Sequence, residues 1–125
     1  MATILIVEDS PDNMKLVSTV LRLKAHIIHE MVDGVGLLER LDAAKPDLVL
    51  MDIQLPGKDG FTLLAEIRGS AHANLRVVAL TAHAMSGDRD RALEAGFDGY
   101  ITKPIDVRRF PEQLQRAMKG EIVAD

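Results

Sequence analysis

Asp47-Leu48-Val49-Leu50-Met51-Asp52-Ile53-Gln54-Leu55-Pro56-Gly57-Lys58-Asp59-Gly60 is the stretch on which the fold turns. Leu48 to Met51 is a short apolar run, and it stops at an acid, Asp52. Pro56, Gly57, Asp59 and Gly60 then form a turn. A short apolar run bounded by turn residues reads as a strand buried on both faces, the pattern of a parallel sheet covered by helices. A charge is costly in the middle of such a strand, so Asp52 sits where the chain leaves the core. In open α/β sheets, ligands bind at that carboxyl end. Asp52 is therefore a chemical centre or an ordinary strand-ending Asp, a residue common in turns.

The same grammar recurs on either side. Thr3–Val7 is apolar and ends in Glu8 and Asp9. Ser10 and Pro11 are placed as N-cap and first helical residue, and Met14, Val17, Val20 and Leu21 follow at helical spacing. Ile27–Met31 reads as an edge strand, polar at His29 and Glu30. Val35, Leu38 and Leu41 predict a second helix closed by Pro46; Phe61, Leu64 and Ile67 predict a third, ending near Gly69. Arg76–Leu80 predicts a fourth strand ending in Thr81. A polar helix over Met85–Ala95, stopped by Gly96, comes next. Tyr100 and Ile101 mark a fifth strand leading to Lys103-Pro104. Val107, Phe110, Leu114 and Met118 mark the last helix, with an irregular first turn and regular helix from about Pro111. Residues 1–120 are expected to form one domain and 121–125 a tail.

Strand and helix alternate throughout. That predicts an α/β, doubly wound, flavodoxin-like five-stranded parallel sheet with right-handed crossovers, five helices and strand order 2-1-3-4-5. The switch point then lies between the strands that end in Glu8, Asp9 and Asp52.

Composition narrows the chemistry. The 125 residues have room for one core, built from aliphatic residues because aromatics are only 3%. A net charge of −4 without long charge runs argues against a nucleic-acid partner. With no Cys, disulfides, thiol catalysis and Cys-based zinc sites are excluded. No apolar run is long enough to span a membrane, and the N-terminus lacks a signal-peptide pattern, so a cytoplasmic location is expected. His26, His29, His72 and His83 make no convincing metal set, and Arg89, Arg91, Arg108 and Arg109 read as a solvated face or a docking patch.

Three carboxylates brought to adjacent strand ends repel one another, so either something offsets the repulsion or one pKa rises; a hard divalent cation such as Mg²⁺ is the usual answer. Lys103 and Thr81 end neighbouring strands. Carboxylates, Mg²⁺, an ammonium and a hydroxyl form a phosphoryl-transfer set with Asp52 as nucleophile.

At this point the chain resembles the receiver domain of two-component response regulators over nearly its whole length. The matching pieces are Leu5-Ile6-Val7-Glu8-Asp9, Asp47 to Asp52, Leu55 to Gly60, Ala79-Leu80-Thr81-Ala82 and Lys103-Pro104, in order and at fitting separations. Asn13, Ala82 to Met85 and Gly87-Asp88 look most like DivK-type single-domain response regulators and the receivers of hybrid kinases. The resemblance implies that Asp52 takes a phosphoryl group from a phosphohistidine. It implies Mg²⁺ bound by Asp9, Asp52 and the Gln54 carbonyl, with Glu8 direct or through water. Thr81 and Lys103 would bind phosphoryl oxygens, and Tyr100 would be the aromatic switch. Lys103-Pro104 is often cis in that family. Gln54 and His83 are expected to flank the path of water and set the dephosphorylation rate.

The expected partners are a histidine kinase or phosphotransfer protein and a downstream regulatory protein. Because the chain ends soon after the last helix, a stand-alone regulator without an output domain is expected, rather than an enzyme; a receiver cut from a hybrid kinase is the alternative. A phosphatase of the haloacid-dehalogenase type usually has a second Asp two residues after the nucleophile, where this chain has Gln54. A flavodoxin-like carrier would have a Gly-, Ser- and Thr-rich loop in place of Glu8-Asp9-Ser10-Pro11.

Overall fold

The computed structural model describes residues 2–81 and 88–124. In chain order the elements are β1 (Thr3–Val7), α1 (Pro11–Leu23), β2 (Ile27–Met31), α2 (Leu37–Ala44), β3 (Leu48–Asp52) and α3 (Gly60–Arg68). β4 (Arg76–Thr81), α4 (Asp88–Ala95), β5 (Gly99–Thr102), α5 (Phe110–Met118) and β6 (Val123–Ala124) follow. The sheet is parallel in order β2-β1-β3-β4-β5-β6. The expected order of the first five strands stands. The segment read as a tail adds a strand of 2 residues beside β5.

β3 is buried at all five positions, as a central strand covered on both faces must be. Side chains alternate across the pleat and divide the core in two. Ile4, Ile6, Leu48, Leu50, Val78, Leu80 and Ile101 pack with Met14, Val17 and Leu21 of α1 and with Phe110, Leu114 and Ala117 of α5. Leu5, Val7, Val49, Met51, Val77, Ala79 and Tyr100 pack against α2, α3 and α4. β2 is an edge strand, with Ile27 and Glu30 exposed.

Helix starts follow local chemistry. Ser10 Oγ accepts the Asn13 N–H, and Asp59 Oδ1 accepts the Thr62 N–H. Two expectations are corrected. Val35 is not on a helix face: α2 begins at Leu37, behind the left-handed Gly36, and Val35 is 82% exposed. Val107 lies in the turn before α5 and is half-exposed. There Asp106 carbonyl accepts from the N–H groups of Arg109 and Phe110, an irregular first turn that leaves Pro111 near the true helix start. Gly96 has φ +110 and ends α4. Met85 and His83 lie outside the described residues.

Candidate phosphoacceptor site

The pleat sorts the site before any side chain is considered. Glu8 continues the series Ile4, Ile6; Asp52 continues Leu48, Leu50; Lys103 follows Ile101 by two. All three therefore belong to the α1/α5 side. The register pairs Val7 with Met51, so the two acids leave adjacent strands side by side. Thr81 continues the other series, Val77 and Ala79, and shares its side with Tyr100.

The ionic groups meet. Lys103 Nζ lies 2.6 Å from Glu8 Oε1 and 2.9 Å from Asp52 Oδ2. Glu8 is fully buried and Asp52 nearly so. The other oxygen of Asp52, Oδ1, accepts the Gln54 N–H at 2.9 Å. Both carboxylate oxygens are thus held, one by a backbone donor and one by a side-chain ammonium. Glu8 Oε2 accepts the Ser10 N–H at 3.3 Å. Lys103 is brought to the site by its own N–H, which donates to the Thr81 carbonyl at 2.8 Å, and the Lys103-Pro104 peptide is cis.

Burial pushes the Glu8 carboxyl up to about 7, and the neighbouring Asp52 adds to the rise; Lys103 and the Ser10 N–H offset only part of it. For Lys103, burial opposes the charge, but Glu8 and Asp52 outweigh it and raise its pKa. The ammonium stays charged across the physiological range.

Oxygens of Glu8, Asp9 and Asp52 lie within 4.8 Å of one another. Asp9 is exposed, so that side of the cluster is open to water. Glu8 Oε1 is buried and faces Lys103 as an ion pair without a well-formed hydrogen bond. A buried carboxylate oxygen with spare lone pairs, in an all-oxygen set with one wet side, fits Mg²⁺, which takes one or two carboxylates and keeps several waters. Gln54 stands where an Asp-nucleophile phosphatase would need its second acid.

Of the residues picked from sequence, the structure brings Glu8, Asp9, Asp52, Lys103 and the Gln54 backbone together. Thr81 is buried at the end of the adjacent strand. Tyr100 is only 3% exposed, packed inward with Ala79, Ala92 and Phe97 rather than lying at the surface. Gly60 was missed. A Cβ there would lie 2.8 Å from Ile53 Cα and 3.0 Å from the Asp52 carbonyl oxygen, so only Gly lets α3 rest on the strand end. Its N–H donates to the Ile53 carbonyl at 2.8 Å. A Gly at a helix's first residue, a poor place for it by propensity, was the available signal. The direct Glu8–Lys103 pairing was also missed, because nothing in residue order says which acid a lysine will reach.

Comparison with known proteins agrees with this geometry. The sequence profile of the response regulator receiver domain matches residues 4–115. The polar-differentiation response regulator DivK of Brucella ovis is 38% identical over 117 residues, covering 90% of this chain and 93% of DivK. The signal transduction histidine-protein kinase BarA of Escherichia coli is 35% identical over 119 residues, 94% of this chain, but the chain spans only 13% of that kinase's length. Among solved structures, the receiver domain of the sensor histidine kinase PA1611 from Pseudomonas aeruginosa, with a magnesium ion coordinated in its active-site cleft, superposes with a TM-score of 0.85 at 33% identity. It covers 94% of this chain and 98% of that one. This chain belongs to the response regulator receiver domain family.

Proposed function

We propose that the protein is a phosphoacceptor that takes a phosphoryl group on Asp52 from a histidine kinase or phosphotransfer protein and signals through protein–protein contact in the cytoplasm. The observation that carries this reading is the single ammonium of Lys103 shared by Glu8 and Asp52 at the sheet rim. An Asp52 oxygen attacks phosphorus, an O–P bond forms as the donor's N–P bond breaks, and the imidazole leaves with its electron pair. The Gln54 N–H holds Oδ1, so Oδ2 is the oxygen presented to the donor. Lys103 then turns from Oδ2 to the phosphoryl oxygens, which are stronger acceptors. Bound Mg²⁺, held by Asp9, Asp52 and the Gln54 carbonyl with Glu8 beside it, supplies charge neutralisation for the incoming group. The protein is not expected to turn over a substrate as an enzyme does.

The signal follows from charge. Phosphorylation adds about −1.5 to −2 at neutral pH. Thr81 is drawn toward it and Tyr100, on the same side of the sheet, repacks in response. Gln54 and His83 set how fast water removes the group. A shift from 1:99 to 99:1 needs about 5.5 kcal/mol, and a few charge-assisted hydrogen bonds of about 1.5–3 kcal/mol each are of that size.

The test is labelling by a small-molecule phosphodonor with Mg²⁺. The wild-type chain is expected to gain one phosphoryl group and Asp52→Ala none. Equal labelling of both would refute the assignment.

A further inference from the structure

We propose that Glu8 is the positioning residue for Lys103: its buried carboxylate tethers the ammonium at the sheet rim, so that Lys103 pivots from Asp52 to the phosphoryl group without leaving the site. This rests on the function proposed above, and it gives Glu8 a task apart from holding Mg²⁺.

Three observations carry it. First, the two acids are held alike. Each has one oxygen on the backbone N–H two residues further on, Asp52 Oδ1 on Gln54 at 2.9 Å and Glu8 Oε2 on Ser10 at 3.3 Å. Each turns its other oxygen to the same ammonium, and Glu8 Oε1 is the nearer, at 2.6 Å against 2.9 Å for Asp52 Oδ2. Second, Glu8 and Asp9 lie in opposite surroundings. Glu8 is fully buried and Asp9 is exposed. Mg²⁺ keeps several waters, so the wet side of the cluster suits the metal and the dry side suits a direct ion pair. Third, Lys103 is held at its root as well as its tip. Its N–H donates to the Thr81 carbonyl at 2.8 Å, and its side chain is 12% exposed. The backbone bond fixes where the side chain starts, and Glu8 fixes where it ends.

The consequence comes at transfer. Phosphorylation takes Oδ2 of Asp52 into the acyl phosphate, and the lysine loses that partner. Glu8 keeps both of its oxygens, because the transfer does not touch it. A tethered ammonium is already in the site when the phosphoryl oxygens arrive, so less side-chain freedom is left to lose in binding them. The fit is one of length: an Asp in place of Glu8 would carry the same charge with one methylene less reach.

The experiment compares the wild type with Glu8→Gln, Glu8→Asp and Asp9→Asn in two arms. In the first the protein is kept metal-free with EDTA. Acylation of Lys103 Nζ by a small amine-reactive ester is followed by site-resolved mass spectrometry, with the exposed Lys119 as internal standard. Losing one of two buried carboxylate partners is expected to raise the Lys103 rate in Glu8→Gln by about three- to thirtyfold. Glu8→Asp should fall between that variant and the wild type, and Asp9→Asn should stay close to the wild type. In the second arm Mg²⁺ is titrated at a fixed concentration of small-molecule phosphodonor. A lost metal ligand raises the Mg²⁺ needed for half the maximal labelling rate, whereas a lost tether lowers the maximum at any Mg²⁺. Glu8→Gln is expected to lower the maximum about tenfold while half-saturation moves less than about threefold. Asp9→Asn should show the reverse ordering, with its larger change in half-saturation. If Glu8→Gln loses its cooperative melt, Glu8→Asp carries both readouts, with smaller changes in the same directions. A folded Glu8 variant whose maximum returns at high Mg²⁺, or whose Lys103 is acylated no faster than in the wild type, would overturn the tether while leaving Asp52 as acceptor. A wild-type chain that takes no label on Asp52 would overturn the function itself, and the pivot with it.

Discussion

The ammonium of Lys103 stands 2.9 Å from Oδ2 of Asp52 across 51 residues of chain. The carboxylate is nearly buried and the lysine side chain is 12% exposed, so the pair is poorly screened by solvent. The same ammonium serves Glu8. It is the cationic partner of both carboxylates among the described residues.

Replacing Lys103 therefore leaves two buried acids facing each other. Breaking a buried pair from one side costs about 3–5 kcal/mol. Protonation relieves part of that, so Lys103→Ala is expected to lose more stability at pH 8 than at pH 6. Urea denaturation at the two pH values checks it. Equal losses would mean that the acids do not feel the lysine.

Mg²⁺ should stabilise the folded chain, because the acids it needs converge only in the folded state. At a free concentration a hundred times Kd the gain is about 2.7 kcal/mol. Asp9→Asn is expected to keep the fold, since Asp9 is exposed, but to remove one of the proposed ligands. Its melting temperature is expected to rise far less with Mg²⁺ than that of the wild type, in a thermal shift series.

Gly60→Ala places a methyl group against backbone, at 2.8 Å from Ile53 Cα, and backbone cannot swing aside as a side chain can. Overpacking of this kind costs about 1–3 kcal/mol. The strain falls on the strand end that carries Asp52, so labelling by phosphodonor should slow as well. Gly57→Ala is the contrast. A Cβ there meets nothing within 4 Å, and its cost is the left-handed φ of +78 alone, about 1–2 kcal/mol.

His26 supplies a pH signature away from the site. Its Nδ1 accepts the Ala2 N–H at 3.1 Å, which requires an unprotonated nitrogen. Burial, then the positive N-terminal amine, lower its pKa below 6.5. The unfolded chain thus binds the proton first. The contribution of His26 is complete above about pH 6.5 and is lost as pH falls from there through the folded-state pKa. His26→Gln should flatten that part of the stability curve, measured as the wild-type minus variant difference between pH 7.5 and 5. A difference that does not change with pH would remove His26 from the account.

Much of this molecule is legible in residue order. Apolar runs that stop at Glu8, Asp52 and Thr81 mark strand ends, because a charged or hydroxyl group is costly in the middle of a buried strand. Ser10-Pro11, Gly69 and Gly96 mark helix ends through backbone preferences that act within a few residues. Alternation of the two patterns implies a parallel sheet with right-handed crossovers, for which 2-1-3-4-5 is the common strand order at this size. What residue order could not say depends on groups distant in the chain. That Lys103 reaches Glu8 as well as Asp52, that Tyr100 lies inward, that Gly60 must have no Cβ and that Val123–Ala124 add to β5 all follow from how the sheet's register stacks remote segments. Val35 shows the same limit: it keeps helical spacing with Leu38 and Leu41, but α2 begins at Leu37 behind the left-handed Gly36, two residues too late to include it. Local chemistry sets where elements begin and end; which side chains then touch is settled only when packing closes the space between them.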